Sequence, residues 1–447
     1  MVIPGIPTIQ KDLATTASIA SWITTAYLIV GSSVSLLFGK LGDIYGKKKM
    51  FLISLTFYIV GVLIAGFSPS IYFLLFARAL QGVGFAIIPL ALAILTDVYP
   101  REKIATAQGI ISGTFAIGAA AGLVVGSYVV QDLGWQYAFH TAAILSIVLF
   151  VVAAKILRND KPNKTGKRID YFGAAFIMAG VTLLLLYVTE GPSLGWMSLE
   201  EIALLVPGTL ATLYFFVFER RRTDPLIQLG LLKIRNVLLA NLVGIISGTS
   251  MFMLFFAVVY YTELPKGFGL NLDIIAAGLT IGPSTLGMLV GGPTIGKMLA
   301  RFGPKPALLL GSTVLGIGQV LFIVNRATAT AVEIDTLVSL FGLVSIIVPI
   351  VNMVAISLPT ESIAVGLGMN TMLRNLGGAL GPVIATTIMA TYLSPLIVPV
   401  NGHNVVVAQI PSAFAFNLIF AVGIALSVGC IALSIVVKNY TFRKKTA

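Results

Sequence analysis

Cysteine is nearly missing from this chain. Cys430 is the one cysteine among 447 residues, so no disulfide forms within the chain and the fold depends on none. Histidine is almost as scarce, with His140 and His403 the only two. No His, Cys and carboxylate set stands at metal-ligating spacing, and no metal or other cofactor is expected. A phosphate-binding G-x-x-x-x-G-K-[ST] loop is absent, as are a nucleophile–base pair and the filter sequence of an ion channel, so an enzyme reading has nothing to carry it. Charge is scarce too: 10% of residues are Asp, Glu, Lys or Arg, against about 25% in a soluble domain. The acids are fewer than the bases, and none stands clearly inside an apolar run. Asp132, Glu190, Glu263, Asp273, Glu333 and Asp335 fall near the ends of such runs and read as solvated interface residues, with Glu190 kept as a candidate proton site.

Apolar runs are what the chain has in excess. Hydrophobic residues make up 57% of it, arranged in stretches long enough to cross a bilayer. Lipid cannot satisfy an open backbone, so each stretch must be a helix, and continuous rather than alternating hydrophobicity excludes a β-barrel. Spans are expected near 20–38, 50–68, 71–96, 104–130, 136–157, 171–189, 199–218, 237–262, 273–298, 306–325, 333–357, 362–392 and 413–437, with a long outer loop over 393–412. The fold class is an all-α polytopic membrane protein with thirteen full spans. The segment Met1–Gln10 reads as the outer end of a helix 1 reduced to a stub. The net charge of +12 does not point to nucleic acid, because Lys and Arg gather in alternate loops: Lys40 and Lys47–Lys49, Arg101 and Lys103, the run from Lys155 to Arg168, Arg220–Arg222 with Lys233 and Arg235, Lys297 to Lys305, and Lys438 to Lys445. The other side holds Lys11, Lys266 and Arg326. The positive-inside rule then makes the first loop and the C-terminus cytoplasmic, in a plasma membrane whose anionic headgroups the basic loops touch. Trp22, Trp135 and Trp196 fall at outer interfaces, as an aromatic belt requires.

The segment Gly39-Lys-Leu-Gly-Asp-Ile-Tyr-Gly-Lys-Lys-Lys49 reads as a loop between two spans, and Gly296-Lys-Met-Leu-Ala-Arg-Phe-Gly-Pro-Lys305 repeats it. Gly39 and Gly46 map onto Gly296 and Gly303 at one offset, and Pro89, Pro100–Ala105 and Gly109 find counterparts in Pro349, Pro359–Ala364 and Gly368. The chain divides into an N-terminal half (1–157), a two-helix insert with linker (158–232) and a C-terminal half (233–447). An even number of inserted spans keeps both halves in one orientation. Two parallel halves rocking about a midplane site describe a secondary transporter.

These residues resemble the major facilitator superfamily. Gly39–Lys49 is similar to its motif between helices 2 and 3, and Arg78-Ala-Leu-Gln-Gly-Val-Gly84 to its helix-4 motif. The two-helix insert with Thr189-Glu-Gly191 and Gly195-Trp196, and Pro7–Leu13, resemble the fourteen-helix drug:H+ antiporter subfamily. The resemblance implies two six-helix bundles plus two inserted helices, a monomer that exports small amphipathic molecules against protons, and a gate at Asp43. Two places depart from the subfamily: Ala119 stands where its helix-5 motif carries Pro, and the helix-1 segment that tends to carry an Asp has no counterpart here. Alternatives are a transporter of an anionic or neutral metabolite and a transporter-like sensor or scaffold that moves nothing.

Candidate residues follow from burial and spacing. Gly39, Gly42, Asp43, Gly46 and Lys47, with Asp97 and Arg101, are the gating set; small residues admit close helix approach. Arg78 and Gln81, one turn apart, and Asn352, Asn370, Arg374 and Asn375 are polar groups placed inside spans, where a cation is costly and faces the bundle interior. With Glu190 they form the expected substrate and proton pathway. Gly109, Gly113, Gly118, Gly122 and Gly126 are expected to let helix 5 slide against its partner.

Overall fold

A computed structural model describes residues 2–98, 118, 121–158, 171–222, 225, 229–358, 363–400 and 403–440. It is nearly all helical. Among the described residues eleven helices are long and apolar enough to cross a membrane. They coincide with eleven of the expected spans. The expected span 362–392 is a continuous helix of 29 residues, and 104–130 falls largely outside the described residues.

The chain opens with a short helix, α1 (Ile6–Asp12), then runs through α2 (Ala17–Tyr45) and α3 (Lys47–Ala65). Next come α4 (Ile71–Gly82) and α5 (Ile87–Val98), separated by a single 3-10 turn, and then α6 (Ala121–Leu133) and α7 (Trp135–Ile156). The inserted pair is α8 (Tyr171–Leu194) and α9 (Leu199–Glu219). The remainder comprises α10 (Arg235–Glu263), α11 (Ile274–Ile281), α12 (Leu286–Phe302), α13 (Pro304–Val324), α14 (Ala329–Ser357), α15 (Ile363–Thr391) and α16 (Ala413–Val436). Pro283 explains why α11 and α12 are two pieces: it lacks an N–H and breaks the ladder at the 3-10 turn over Pro283–Thr285.

Six helix starts at the end away from the basic segments are capped by hydroxyls or a carboxylate, while α7 starts after Gly134 without a side-chain cap. Thr16, Ser70, Ser198, Thr328 and Ser412 each accept a backbone N–H three residues on, as does Asp273. These caps satisfy amides that no intrahelical carbonyl reaches.

Two expectations are corrected here. Gly39–Lys49 is not a loop. α2 runs on through Tyr45 and α3 begins at Lys47, leaving only Gly46 outside helix, at φ 101°. The repeat does the same, with Gly303 at φ 85° between α12 and α13. Charged residues let each helix continue beyond its apolar stretch, and a backbone conformation open to glycine turns the chain in one residue. The outer loop over 393–412 is a hairpin, β1 (Leu393–Val400) antiparallel to β2 (His403–Pro411), with a bulge between Leu396 and Ile397.

The largest apolar cluster is continuous from Ile6 to Val437. α2 packs against α3, α4, α8 and α15, while α15 also lies along α10. The inserted helix α8 docks on the α2–α15 seam through Leu185, Trp22, Leu28 and Val383. Trp22 and Trp135 do not form a lipid-facing belt. Trp22 is buried and donates its indole N–H to Thr189 (3.1 Å), and Trp135 is buried and donates to Asp12 (3.2 Å). Only Trp196 is exposed.

Candidate functional site

Two arginines inside membrane-spanning helices lie on α4 and α15, both of which pack against α2. Arg78, on α4, sits about 10 Å along the helix from Ile71 at 1.5 Å per residue. Its Nε donates to the carbonyl of Ile23 on α2 (2.8 Å) and its Nη1 to Gln81 Oε1. The guanidinium lies 4.3 Å from the centre of the Tyr27 ring, a cation–π contact strengthened by exclusion of water. Gln81 Nε2 is sealed from solvent and has no partner. Gly61 of α3 makes room for this turn, since a Cβ there would stand 2.7 Å from Gln81 N. Every group touching Arg78 here is neutral, so its charge is solvated by a carbonyl, an amide and a ring.

Arg374 lies near the middle of α15. It keeps partial exposure, and among the described residues its guanidinium has neither a hydrogen bond nor an ion pair. Its Cβ would stand 3.8 Å from a Cβ on Gly244 of α10. Asn370, one turn earlier, instead clamps helices: its Nδ2 donates to Ala240 O (3.0 Å) and Asn241 Oδ1 (3.3 Å) on α10, leaving Asn370 Oδ1 unpaired. Asn375 Nδ2 and Asn352 Oδ1 are likewise sealed and unpaired. α2 links the two arginine sites directly, because Thr25, two residues past the Arg78 acceptor, donates to Ala379 O on α15 (3.2 Å).

Glu190 is not brought into this group. It ends the inserted helix α8, where Thr387 donates to Val188 O (3.1 Å), about 20 Å along α15 from the level of Arg374.

At the basic end, Gly42 faces α5: a Cβ there would stand 2.6 Å from Leu90 Cδ2. Lys47 donates to Ala93 O on α5 (3.4 Å). Gly39 has nothing within 4 Å of an added Cβ, so it is not a packing position. Asp43 and Asp97 occupy the last turns of α2 and α5; their side chains, and Arg101, lie outside the described residues.

Only part of the expected helix-5 packing set lies within the described residues. Gly109 and Gly113 lie outside the described residues, and Gly118 is exposed with open space around it. Gly126 is buried and Gly122 partly so. The close approach is made by the partner helix: Gly278 of α11 leaves the space that Ser127 of α6 fills, and a Cβ on Gly282 would stand 2.5 Å from Val124. Small residues one turn apart on α11 were the available signal.

Two acids expected at solvated interfaces, Asp335 and Glu263, have sealed oxygens, and so does Glu201, which the sequence did not single out. Glu201 and Asp335 are 0% and 4% exposed, and each has carboxylate oxygens without a hydrogen-bond donor. Glu263 Oε1 is sealed and unpaired as well. Each follows an apolar helix pattern that hides it from a hydropathy count, because the burial comes from neighbouring helices.

At the basic end of the C-terminal helices a strap forms. Lys438 N donates to Asn236 Oδ1 (3.1 Å) while Asn236 Nδ2 donates to Lys438 O (3.0 Å). Asn439 accepts from Lys305 N (3.2 Å) and donates to Phe302 O (3.0 Å). Burial raises the Tyr440 phenol above its ordinary value, and hydrogen bonds with Ser357 and Asn236 act against that rise.

Comparison with known proteins gives consistent matches. The family model described as Major Facilitator Superfamily matches residues 1–382. The tetracenomycin C resistance and export protein of Streptomyces glaucescens is 27% identical over 395 residues, covering 86% of this chain and 71% of its own length. The multidrug resistance protein Stp of Mycobacterium tuberculosis (strain CDC 1551 / Oshkosh) is 25% identical over 402 residues, covering 88% and 73%. The uncharacterized MFS-type transporter EfpA of the same organism is 26% identical over 446 residues, covering 97% and 83%. Among solved structures, that of the nucleoside transporter NupG has a TM-score of 0.65 at 12% identity, covering 97% of this chain and 94% of that one. At that identity the likeness is one of fold.

Proposed function

The chain belongs to the Major Facilitator Superfamily, and from that premise we propose that it exports small amphipathic compounds by alternating access, driven by proton flow, as a fourteen-helix drug:H+ antiporter. It is a polytopic membrane transporter and not an enzyme. The observation that carries the finer reading is its likeness, over most of its length, to proteins named for antibiotic export and multidrug resistance. The halves 1–157 and 233–447 rock about the α2–α15 and α6–α11 contacts, which small residues keep close. A monomer in the plasma membrane, with the basic end and the C-terminus in the cytoplasm, accounts for the placement of Lys and Arg.

The two arginines support a second reading of the cargo. Arg374 is unpaired and Arg78 has neutral partners, so both add positive potential to the interior. Anionic or neutral amphipaths suit that potential better than lipophilic cations.

The test is reconstitution in proteoliposomes with an imposed pH gradient, offering ethidium, a neutral aromatic dye and carboxyfluorescein in turn. Saturable accumulation of at least one, abolished by a protonophore, is the expected result. Failure to move any of them would reject export of amphipaths. Saturable transport of ethidium alone would reject the anionic or neutral cargo.

A further inference from the structure

Asp335 is the seventh residue of α14, about 9 Å from the helix start at 1.5 Å per residue. It is 4% exposed, and its Oδ2 is sealed with no donor. Ser339 stands one turn on, on the same face. Its hydroxyl occupies the space that a side chain on Gly318 of α13 would need. Ser339 Oγ and both amide atoms of Gln319 on α13 are also buried without partners. Asp335 and Ser339 share one face of α14, with Ser339 set against Gly318 of α13, whereas Gln319 turns toward α16, where a Cβ on Gly423 would stand 2.6 Å from its Oε1. Buried polar groups normally find a partner or an ordered water, and a charged carboxylate left without one is far costlier than a neutral acid.

Among the described residues no counter-ion relieves Asp335. α13 and α14 run antiparallel, with Gly311 facing Ser345, Leu315 facing Gly342 and Gly318 facing Ser339. That register puts Asp335 level with Phe322, one turn before Arg326. Arg326 is committed elsewhere: Nη1 donates to Phe322 O (2.7 Å) and Nη2 to Ala413 O (3.2 Å). The other ionisable groups at this end of the packed elements are Tyr260, Tyr261 and Glu263 on α10, Asp273 at the head of α11 and Glu333 on α14 itself. Tyr260 donates to Gln10 Oε1 (2.6 Å), Tyr261 to Arg326 O (3.1 Å), and Asp273 caps α11. None hydrogen-bonds Asp335.

We propose that Asp335 is a proton-binding site of the transport cycle, neutral in the closed α13–α14 seam and ionised when the seam opens to water. The proton comes from water at the nearer membrane face, forming the carboxyl O–H, and returns to water when the seam parts. Ser339 provides a hydrogen-bonding position for water entering along the seam. This rests on the proton-coupled reading above, and it assigns the proton to a helix seam rather than to the arginine sites.

The experiment compares wild type, Asp335→Asn and Asp335→Glu in proteoliposomes, with the dye that wild type moves. Asp335→Asn is expected to lose gradient-driven accumulation about tenfold while retaining gradient-independent counterflow, and Asp335→Glu to retain both. Full gradient-driven accumulation by Asp335→Asn overturns the proposal. Infrared difference spectra between pH 5 and pH 9 give a readout independent of cargo. A protonated-carboxyl band present in wild type, absent in Asp335→Asn and shifted in Asp335→Glu supports the assignment; an unchanged band in Asp335→Asn overturns it. If wild type moves dye without responding to the gradient, proton coupling itself fails, and the infrared comparison still decides whether Asp335 binds the proton. Should Asp335→Asn not fold, Asp335→Glu carries the test: an unshifted band refutes the site.

Discussion

Replacing Gly311 with Ala should wedge α13 from α14, whereas the same change at Gly316 on the same helix should not. A Cβ on Gly311 would stand 2.6 Å from the backbone carbon of Ser345 and 2.7 Å from its oxygen. An ordinary carbon–carbon contact is about 3.5 Å, so the helices must part by roughly 0.9 Å. A gap of that size forfeits about a quarter to a half of each atomic contact it stretches, and overpacking of this kind costs about 1–3 kcal/mol. Against that, Gly→Ala inside a helix gains about 0.5–1 kcal/mol of backbone entropy. At Gly316 the nearest atom is Ser427 Cβ at 3.4 Å, so only the gain remains. The entropy gain is common to both, so Gly311→Ala should be less stable than Gly316→Ala by about 1–3 kcal/mol. Thermal unfolding in detergent, followed by size-exclusion of the surviving fraction, measures it. Equal melting of the two, or a stabilised Gly311→Ala, would refute the packing argument. Gly311→Ala also opens the seam that holds Asp335, so its gradient-driven transport should fall even at temperatures where it is folded.

Gly46→Ala should cost about 1–3 kcal/mol because φ 101° is strained for any side chain, while Gly39→Ala, facing open space, should be neutral or slightly stabilising; matched melting curves check both. Arg78→Ala removes charge-assisted bonds to Ile23 O and Gln81 Oε1, each worth about 1.5–3 kcal/mol, and should abolish transport and lower stability, with Arg78→Lys recovering part of the stability; identical melting of wild type and Arg78→Ala would remove its structural role. Arg374→Ala should leave stability within about 0.5 kcal/mol, as for a side chain with no partner, while reducing carboxyfluorescein transport more than that of a neutral dye, which competition assays in proteoliposomes resolve.

The spans were legible because hydropathy reads the one property that lipid demands. What hydropathy cannot read is one helix covering another. Trp22 and Trp135 have the composition of an interfacial belt, yet α8 and α1 cover them and supply acceptors. Asp335 lies near a helix end in sequence, and the packing of neighbouring helices on α14 seals it. The hairpin over 393–411 did leave a local signal, an Asn401-Gly402 pair between apolar runs, the strongest short hairpin cue. Of the candidate site, Arg78 with Gln81 was readable from their spacing on one helix face. The clamp between Asn370 and Asn241 was not, because it joins residues far apart in sequence through a register that only helix packing sets.

Helix α2 is unbroken over 29 residues and is fastened close to its start. Trp22, Ile23 and Thr25 tie its first third to α8, α4 and α15, while its last turn ends on the single bent residue Gly46. That arrangement is a lever with its fulcrum near one end. The arm from Thr25 to Tyr45 is about 30 Å long, so a tilt of about 10° at the fulcrum swings the Gly46 end through roughly 5 Å. A shift at the fulcrum too small to notice beside Arg78 thus becomes, at the other membrane face, a displacement the width of a helix turn.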